Sequence, residues 1–177
     1  MRRCLLDLDG VLADFHRAWH EHHPEYPYPD PWPEGVWSLS KVHNITYEQT
    51  NRNIGLSMWQ SIQWMPDGKE ILSLLEGHFS KKNICILTSN RVEKADIAAM
   101  GKVQWIEREL PEYQSRYFLG AAKDFLAHRD ILLIDDRNEN VDAFIRAGGF
   151  AFLLPRPWNR AHGKNAVPSL IDFLARA

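Results

Sequence analysis

Short apolar runs that stop at acidic or polar residues constrain the fold of this chain more than any other feature of its sequence. Residues 4–8 run up to Asp9-Gly10, 84–88 to Ser89-Asn90, and 131–134 to Asp135-Asp136; 150–154 is a fourth such run and 116–119 a further candidate. Each has the length of a strand and lacks polar alternation, which predicts strands buried on both faces. Between them, residues 68–79, 92–110, 121–127 and 139–147 carry apolar side chains at helical spacing, and 168–176 reads as a closing helix with Pro168 near its start. Strands alternating with helices predict an α/β fold of three layers, a parallel sheet with helices on both faces. A chain of 177 residues holds roughly one such domain.

Residues 16–65 break this rhythm. They include Pro24, Pro27, Pro29, Pro31 and Pro33, then a polar helical pattern over 46–63 that Thr46 and Gln49 open as a capping box. Five of the seven tryptophans precede Pro66, in well under half the chain. We read this stretch as a small helical cap inserted after the first strand, with 1–15 and 66–177 forming the core. The run His20-Glu21-His22-His23 has the i,i+3 spacing of two metal ligands on one helix face. With no carboxylate or cysteine cluster beside it, it reads as a solvated helix end.

Hydrophobic residues make up 45% of the chain and charged residues 25%, enough apolar material for one core. A formal net charge of −2 argues against holding long nucleic acid by bulk positive potential. It leaves room for a small phosphorylated substrate, which needs only a local positive site. Cys4 and Cys85 lie within apolar runs and read as buried free thiols, so a reduced, cytoplasmic setting is expected rather than a disulfide framework. No stretch approaches the roughly 20 apolar residues that span a bilayer. Asp7 and Asp9 interrupt the N-terminus where a signal peptide would need an apolar run. No membrane partner is expected, and monomer and homodimer both stay open.

The chemistry is carried by carboxylates. Asp7 and Asp9 lie two apart at the end of an apolar run, so both can approach one site, and Gly10 permits a sharp exit. Asp135-Asp136 ends another run. Such pairs are often turn or capping residues, but two clusters, each closing a buried strand, make coincidence unattractive. Two carboxylates about 4 Å apart repel by roughly 4 kcal/mol at an effective dielectric near 20. Three together require a cation, and oxygen ligands favour a hard one such as Mg²⁺. Between the clusters, Thr88 and Ser89 can offer hydroxyl and backbone N–H donors to phosphate oxygens.

Asp7-Leu8-Asp9-Gly10-Val11-Leu12-Ala13-Asp14-Phe15, Leu87-Thr88-Ser89 and Ile134-Asp135-Asp136-Arg137 together resemble the haloacid dehalogenase (HAD) superfamily. The extended first motif and the Asp-Asp-Arg ending are most similar to 5'(3')-deoxyribonucleotidases. The resemblance implies a HAD-like Rossmannoid core and a magnesium-dependent phosphatase that hydrolyses nucleoside monophosphates. In that family's pattern Asp7 attacks phosphorus and becomes an aspartyl phosphate, while Asp9 protonates the leaving alkoxide and later activates water. The Asp7 carboxylate, the Asp9 backbone carbonyl and Asp136 hold Mg²⁺, with Asp135 behind them. A lysine balances the charge: Lys102, shortly before Trp105 and Glu107, matches the family pattern, and Lys123 is its rival. An acid at the position of Asp9 also separates a phosphatase from a dehalogenase, since expelled halide needs no proton.

The resemblance further assigns Phe15, Trp37 and Trp59 to a nucleobase pocket and Ser89 to substrate contact, with Trp64 a weaker candidate. Trp19 and Trp32 read as core of the inserted stretch. Pro155-Arg156-Pro157-Trp158-Asn159-Arg160 either touches phosphate or ribose or closes its loop. Competing readings are a phosphatase for another small phosphate ester, a polynucleotide end phosphatase, and a non-catalytic phosphate-binding protein.

Overall fold

The computed structural model describes residues 2–90 and 93–176. Strands β1 (Arg3–Leu6), β2 (Ile84–Thr88), β3 (Tyr117–Leu119), β4 (Ile131–Asp135) and β5 (Phe150–Leu153) form one sheet in the order β3-β2-β1-β4-β5. Every neighbouring pair is parallel, with Leu6 opposite both Ile86 and Ile134 in the central register.

The period-2 geometry of the strands divides the core between two faces. Leu5, Leu87 and Leu133 gather on one face with Phe144 of helix α7 (Asn138–Arg146). Cys4, Leu6, Ile84, Ile86, Leu132 and Ile134 meet α5 (Gly68–Phe79), α6 (Ala95–Glu109) and α8 (Ala166–Leu174) through the main cluster on the other. The three layers expected from the apolar runs are therefore present. The expected start of the 92–110 helix, at Val92, lies outside the described residues.

Several expectations need correction. The outer strands are not buried on both faces: Phe118 of β3 and Phe150 of β5, on the two edge strands, are 52% and 51% exposed. Residues 121–127 form no α-helix but a single 3₁₀ turn, Lys123–Leu126. Lys123 is drawn into the protein there while Phe125 points outward, so the apolar spacing of the segment is not used for packing. With only a turn over that part of the sheet, Cys85 is half-buried, whereas Cys4 is fully buried; both are free.

Between β1 and α5 lie α1 (Phe15–Glu21), α2 (Leu39–Val42), α3 (Tyr47–Asn51) and α4 (Leu56–Ser61). The capping box at Thr46 and Gln49 is formed as the sequence suggests. The 46–63 pattern nonetheless splits into α3 and α4, since Asn53 takes a positive φ of 37° and Gly55 is extended. Helices this short are marginal alone. They are held by packing: Trp19, Trp32 and Trp59 join the same hydrophobic cluster as Trp105 and Trp158 of the sheet-bearing part. Among the described residues, no helix is long and apolar enough to cross a membrane.

The histidine run is not a solvated helix end. His20 and His23 are 5% and 0% exposed. The His23 ring stacks on Trp19 with centroids 4.1 Å apart, and its Nδ1 meets the Trp19 carbonyl. His20 Nε2 faces His43 Nε2 at 2.8 Å, which joins α1 to the residue after α2. Burial drives the His20 imidazole down to about 4, and burial lowers His43 too. Below the ordinary value of 6.5 the unfolded histidines take up protons that the folded ones refuse. Stability from this pair is therefore complete above that value and lost as the pH falls towards about 4. Thermal melts of His43→Gln across this range should show a shallower acid loss than wild type; equal slopes would refute the assignment.

Candidate active site

Three strand ends build the site. Asp7 follows β1 directly, and its N–H donates to the Ile134 carbonyl of β4 at 3.0 Å, which carries the ladder one residue past the strand. Asp135 closes β4 with Asp136 the next residue, and Thr88 closes β2. Because the strands are parallel, all of these ends open on one edge of the sheet, where α/β folds form their ligand crevice. Gly10 then turns the chain away at φ +75°. A Cβ there would collide with the Asp136 carboxylate and lie 3.2 Å from the Trp158 ring, so only glycine fits.

Asp7, Asp9, Ser89, Asn90 and Asp136 line a cleft of about 140 Å³ together with the rings of Phe15, His16, Trp37 and Trp59. A roomier groove of about 730 Å³ runs beside Phe150, Phe152 and Phe173. It contains none of the clustered carboxylates, so the smaller cleft is the one equipped for chemistry.

Two buried lysines reach this cleft. Lys123 lies 2.7 Å from Asp7 Oδ1 and 2.7 Å from Asp135 Oδ2. Lys102, on α6, pairs with Asp9 Oδ2 and donates to Thr88 Oγ1 at 2.7 Å. The sequence posed them as rivals; the structure brings in both, one at each of the first two acids. Lys102 gets there because α6 packs close to α4: a Cβ on Gly101 would run into the Trp59 side chain.

The family model for 5' nucleotidase, deoxy (pyrimidine), cytosolic type C protein matches residues 2–169. The chain belongs to this family. It is a phosphoric monoester hydrolase of the 5'-nucleotidase type. No curated protein sequence matches it. Among solved structures, a putative HAD-hydrolase from Bacillus subtilis bound to magnesium is 12% identical with a TM-score of 0.54, covering 98% of each chain. An L-2-haloacid dehalogenase is 13% identical with a TM-score of 0.50, covering 94% of this chain and 90% of its own. At such identities the likeness is one of fold, and the fold is that of HAD hydrolases.

The electrostatics of the nucleotidase cleft call for positive charge. One oxygen from each of Asp7, Asp135 and Asp136 lies within 4.8 Å of the others. Burial first, then Asp135 and Asp7, push the Asp136 carboxyl well above the usual carboxylate range. Asp135, buried beside Asp7, is pushed up to about 6 although Lys123 draws it down. Burial would lower Lys123, but Asp7 and Asp135 outweigh it and hold it above the usual lysine range. The three acids offer only oxygen donors, which fit a hard dication. They are not equivalent. Both oxygens of Asp135 already accept hydrogen bonds, from Lys123, Asn140 and the Arg137 N–H. Asp136 accepts at its carboxylate only from Trp158 among the described residues, so its Oδ1 keeps donor capacity.

Of the remaining expected residues, Ser89 donates to the Gly120 carbonyl at 3.3 Å while lining the cleft. Phe15 packs on Trp59 with centroids 5.4 Å apart. Trp37 is 41% exposed, with the Arg137 guanidinium 4.3 Å from its ring. Trp64 is turned elsewhere: its Nε1 donates to Glu109 and its ring meets Trp105. Trp19 and Trp32 are buried as read. His16, Asn90 and Asn140 line the cleft without having been singled out. Their signal was adjacency, since each lies within five residues of a motif residue already marked, Phe15, Thr88 or Asp135.

Asp136→Asn relieves repulsion and keeps an acceptor for Trp158. In metal-free protein near neutral pH it should raise Tm, by about 2–4 °C per kcal/mol relieved. The folded carboxyl binds its proton at higher pH than the unfolded one, so wild type recovers stability as the pH falls and the advantage of the variant should shrink. The same variant should lose thermal stabilisation by Mg²⁺. A metal-free Tm at or below wild type would contradict the charge reading.

Proposed function

We propose that this enzyme hydrolyses nucleoside 5'-monophosphates, deoxynucleotides among them, through an aspartyl phosphate on Asp7. The observation that carries this is the meeting of Asp7, Asp9, Thr88 and two buried lysines at the C-terminal edge of a parallel sheet.

Asp7 is set in place at its Oδ1 by Lys123 and by the Leu8 N–H at 2.8 Å, and its carboxylate is the attacking group. Attack forms a bond from Asp7 to phosphorus and breaks the bond from phosphorus to the nucleoside oxygen. Asp9 gives that oxygen its proton. In the second step Asp9 takes a proton from water, which displaces Asp7 from phosphorus and frees inorganic phosphate. Among the described residues Asp9 Oδ1 has no hydrogen-bond partner, so it is the oxygen of Asp9 that Lys102 does not occupy. Lys102 and the Thr88 hydroxyl receive phosphate oxygens, and Lys123 balances the charge on Asp7. The Asp7 carboxylate, the Asp9 backbone carbonyl and Asp136 would hold Mg²⁺, which when bound draws charge from the phosphoryl oxygens. Asp135 acts through Lys123 instead.

Residues 16–65 serve as the cap over this cleft, with Phe15, Trp37 and Trp59 forming the aromatic wall for the base. Stacking on such faces contributes roughly 1–3 kcal/mol per base. The cytosolic type of the matching family and the free thiols of Cys4 and Cys85 support a cytoplasmic enzyme.

Phosphate release from a panel of nucleotides and sugar phosphates, with Mg²⁺ or with chelator, is the test. Activity should be confined to nucleoside monophosphates and vanish with chelation, and Asp9→Asn should lower kcat by about 10²–10⁴ while nucleotide still binds. Turnover dominated by sugar phosphates would keep the Asp7 chemistry and overturn the substrate. Undiminished turnover in Asp9→Asn would overturn the mechanism.

A further inference from the structure

The loop after β5, read from sequence as touching phosphate or ribose or closing its loop, ties distant parts of the chain together. Arg156 is buried and joins three elements. Its Nε donates to the Gly10 carbonyl at 2.6 Å, its Nη2 to the Val11 carbonyl at 3.3 Å, and the guanidinium pairs with Asp67 beside α5 at 2.6 Å. Asn159 Nδ2 donates at 2.8 Å to the backbone carbonyls of both Asp136 and Leu154. Between these two anchors stands Trp158, 2% exposed, with its Nε1 donating to Asp136 Oδ2 at 2.5 Å.

We infer that Trp158 is a positioning residue that fixes the Asp136 carboxylate for metal binding and links it to the packing of the segment 16–65. This rests on the reading of Asp136 as a magnesium ligand. A carboxylate can rotate about its Cβ–Cγ bond. A neutral N–H held on Oδ2, where only a glycine at position 10 leaves space for the carboxylate, opposes that rotation and presents Oδ1. The donor is itself held by its faces, since the ring lies 4.4 Å from His16 of α1 and 5.7 Å from Trp32. Pro157 accepts from the Gly35 N–H at 2.8 Å, which stitches the same loop to the inserted segment. One indole thus touches Asp136 through its edge and His16, which lines the cleft, through its ring. Partners of metal ligands commonly set affinity by 10–100-fold.

Trp158→Phe keeps an aromatic ring and removes only the donor. Mg²⁺ binding to wild type and variant, followed by calorimetry, should show affinity weakened by about tenfold or more in the variant. At saturating Mg²⁺ the variant should recover wild-type kcat with KM for nucleotide unchanged, a split that a merely structural defect would not produce. A folded variant with wild-type Mg²⁺ affinity overturns the inference while leaving the magnesium reading intact. Wild type that takes up no Mg²⁺ overturns both. Should the variant fail to fold, the indole N–H resonance of Trp158 in wild type, recognised by its contacts to His16, decides the matter. It should move on Mg²⁺ saturation, and a resonance that stays fixed overturns the inference.

Discussion

Lys123 sits between Asp7 and Asp135, 2.7 Å from an oxygen of each, with all three side chains nearly cut off from water. The sheet register creates the need for it. Leu6 and Ile134 are opposite one another, so the next residues out, Asp7 and Asp135, emerge side by side. Two adjacent buried carboxylates without a counter-charge would be prohibitive, and removing one partner from such a pair typically costs about 3–5 kcal/mol. The requirement shapes the chain around it. The connection from β3 to β4 gives up its apolar spacing for a 3₁₀ turn whose inward residue is a lysine.

Charge is still unbalanced after that pairing. Asp7, Asp9, Asp135 and Asp136 converge on the cleft, while Lys102 and Lys123 are the buried lysines there. The excess falls on Asp136, which among the described residues has no cationic side chain bonded to it and is held by an indole instead. A protein stabilised by this region alone would replace that acid. The arrangement makes sense for a site completed by a dication and by a phosphate whose own negative charge the lysines then share.

Much of this was legible before the structure. The parallel core followed from apolar runs of strand length, and the acids followed from where those runs stop. What escaped was set by tertiary partners that no local pattern reveals. The segment 121–127 has helical spacing, yet Lys123 is claimed by carboxylates from two other strands. His20 and His23 look like a solvated polar run, but Trp19 takes His20 edge-on and His23 face to face. The sequence favoured Lys102 over Lys123 for a single role, and it could not show that each lysine meets a different acid, Lys102 at Asp9 and Lys123 at Asp7.

The inserted helices show how the two halves of the cleft became one body. Helices of four to seven residues cannot hold themselves, so they borrow the core. Trp59 fills the space that Gly101 leaves on α6, one residue before Lys102, and Lys102 Nζ lies 5.2 Å from that same ring. Across the cleft, His16 leans on Trp158, which holds Asp136. The rings that line the cleft are therefore packed against the residues that hold its charged groups, Gly101 before Lys102 on one side and Trp158 bonded to Asp136 on the other. In a cleft built this way, the placement of the rings and the placement of the charges are set by the same packing, not by separate parts of the chain.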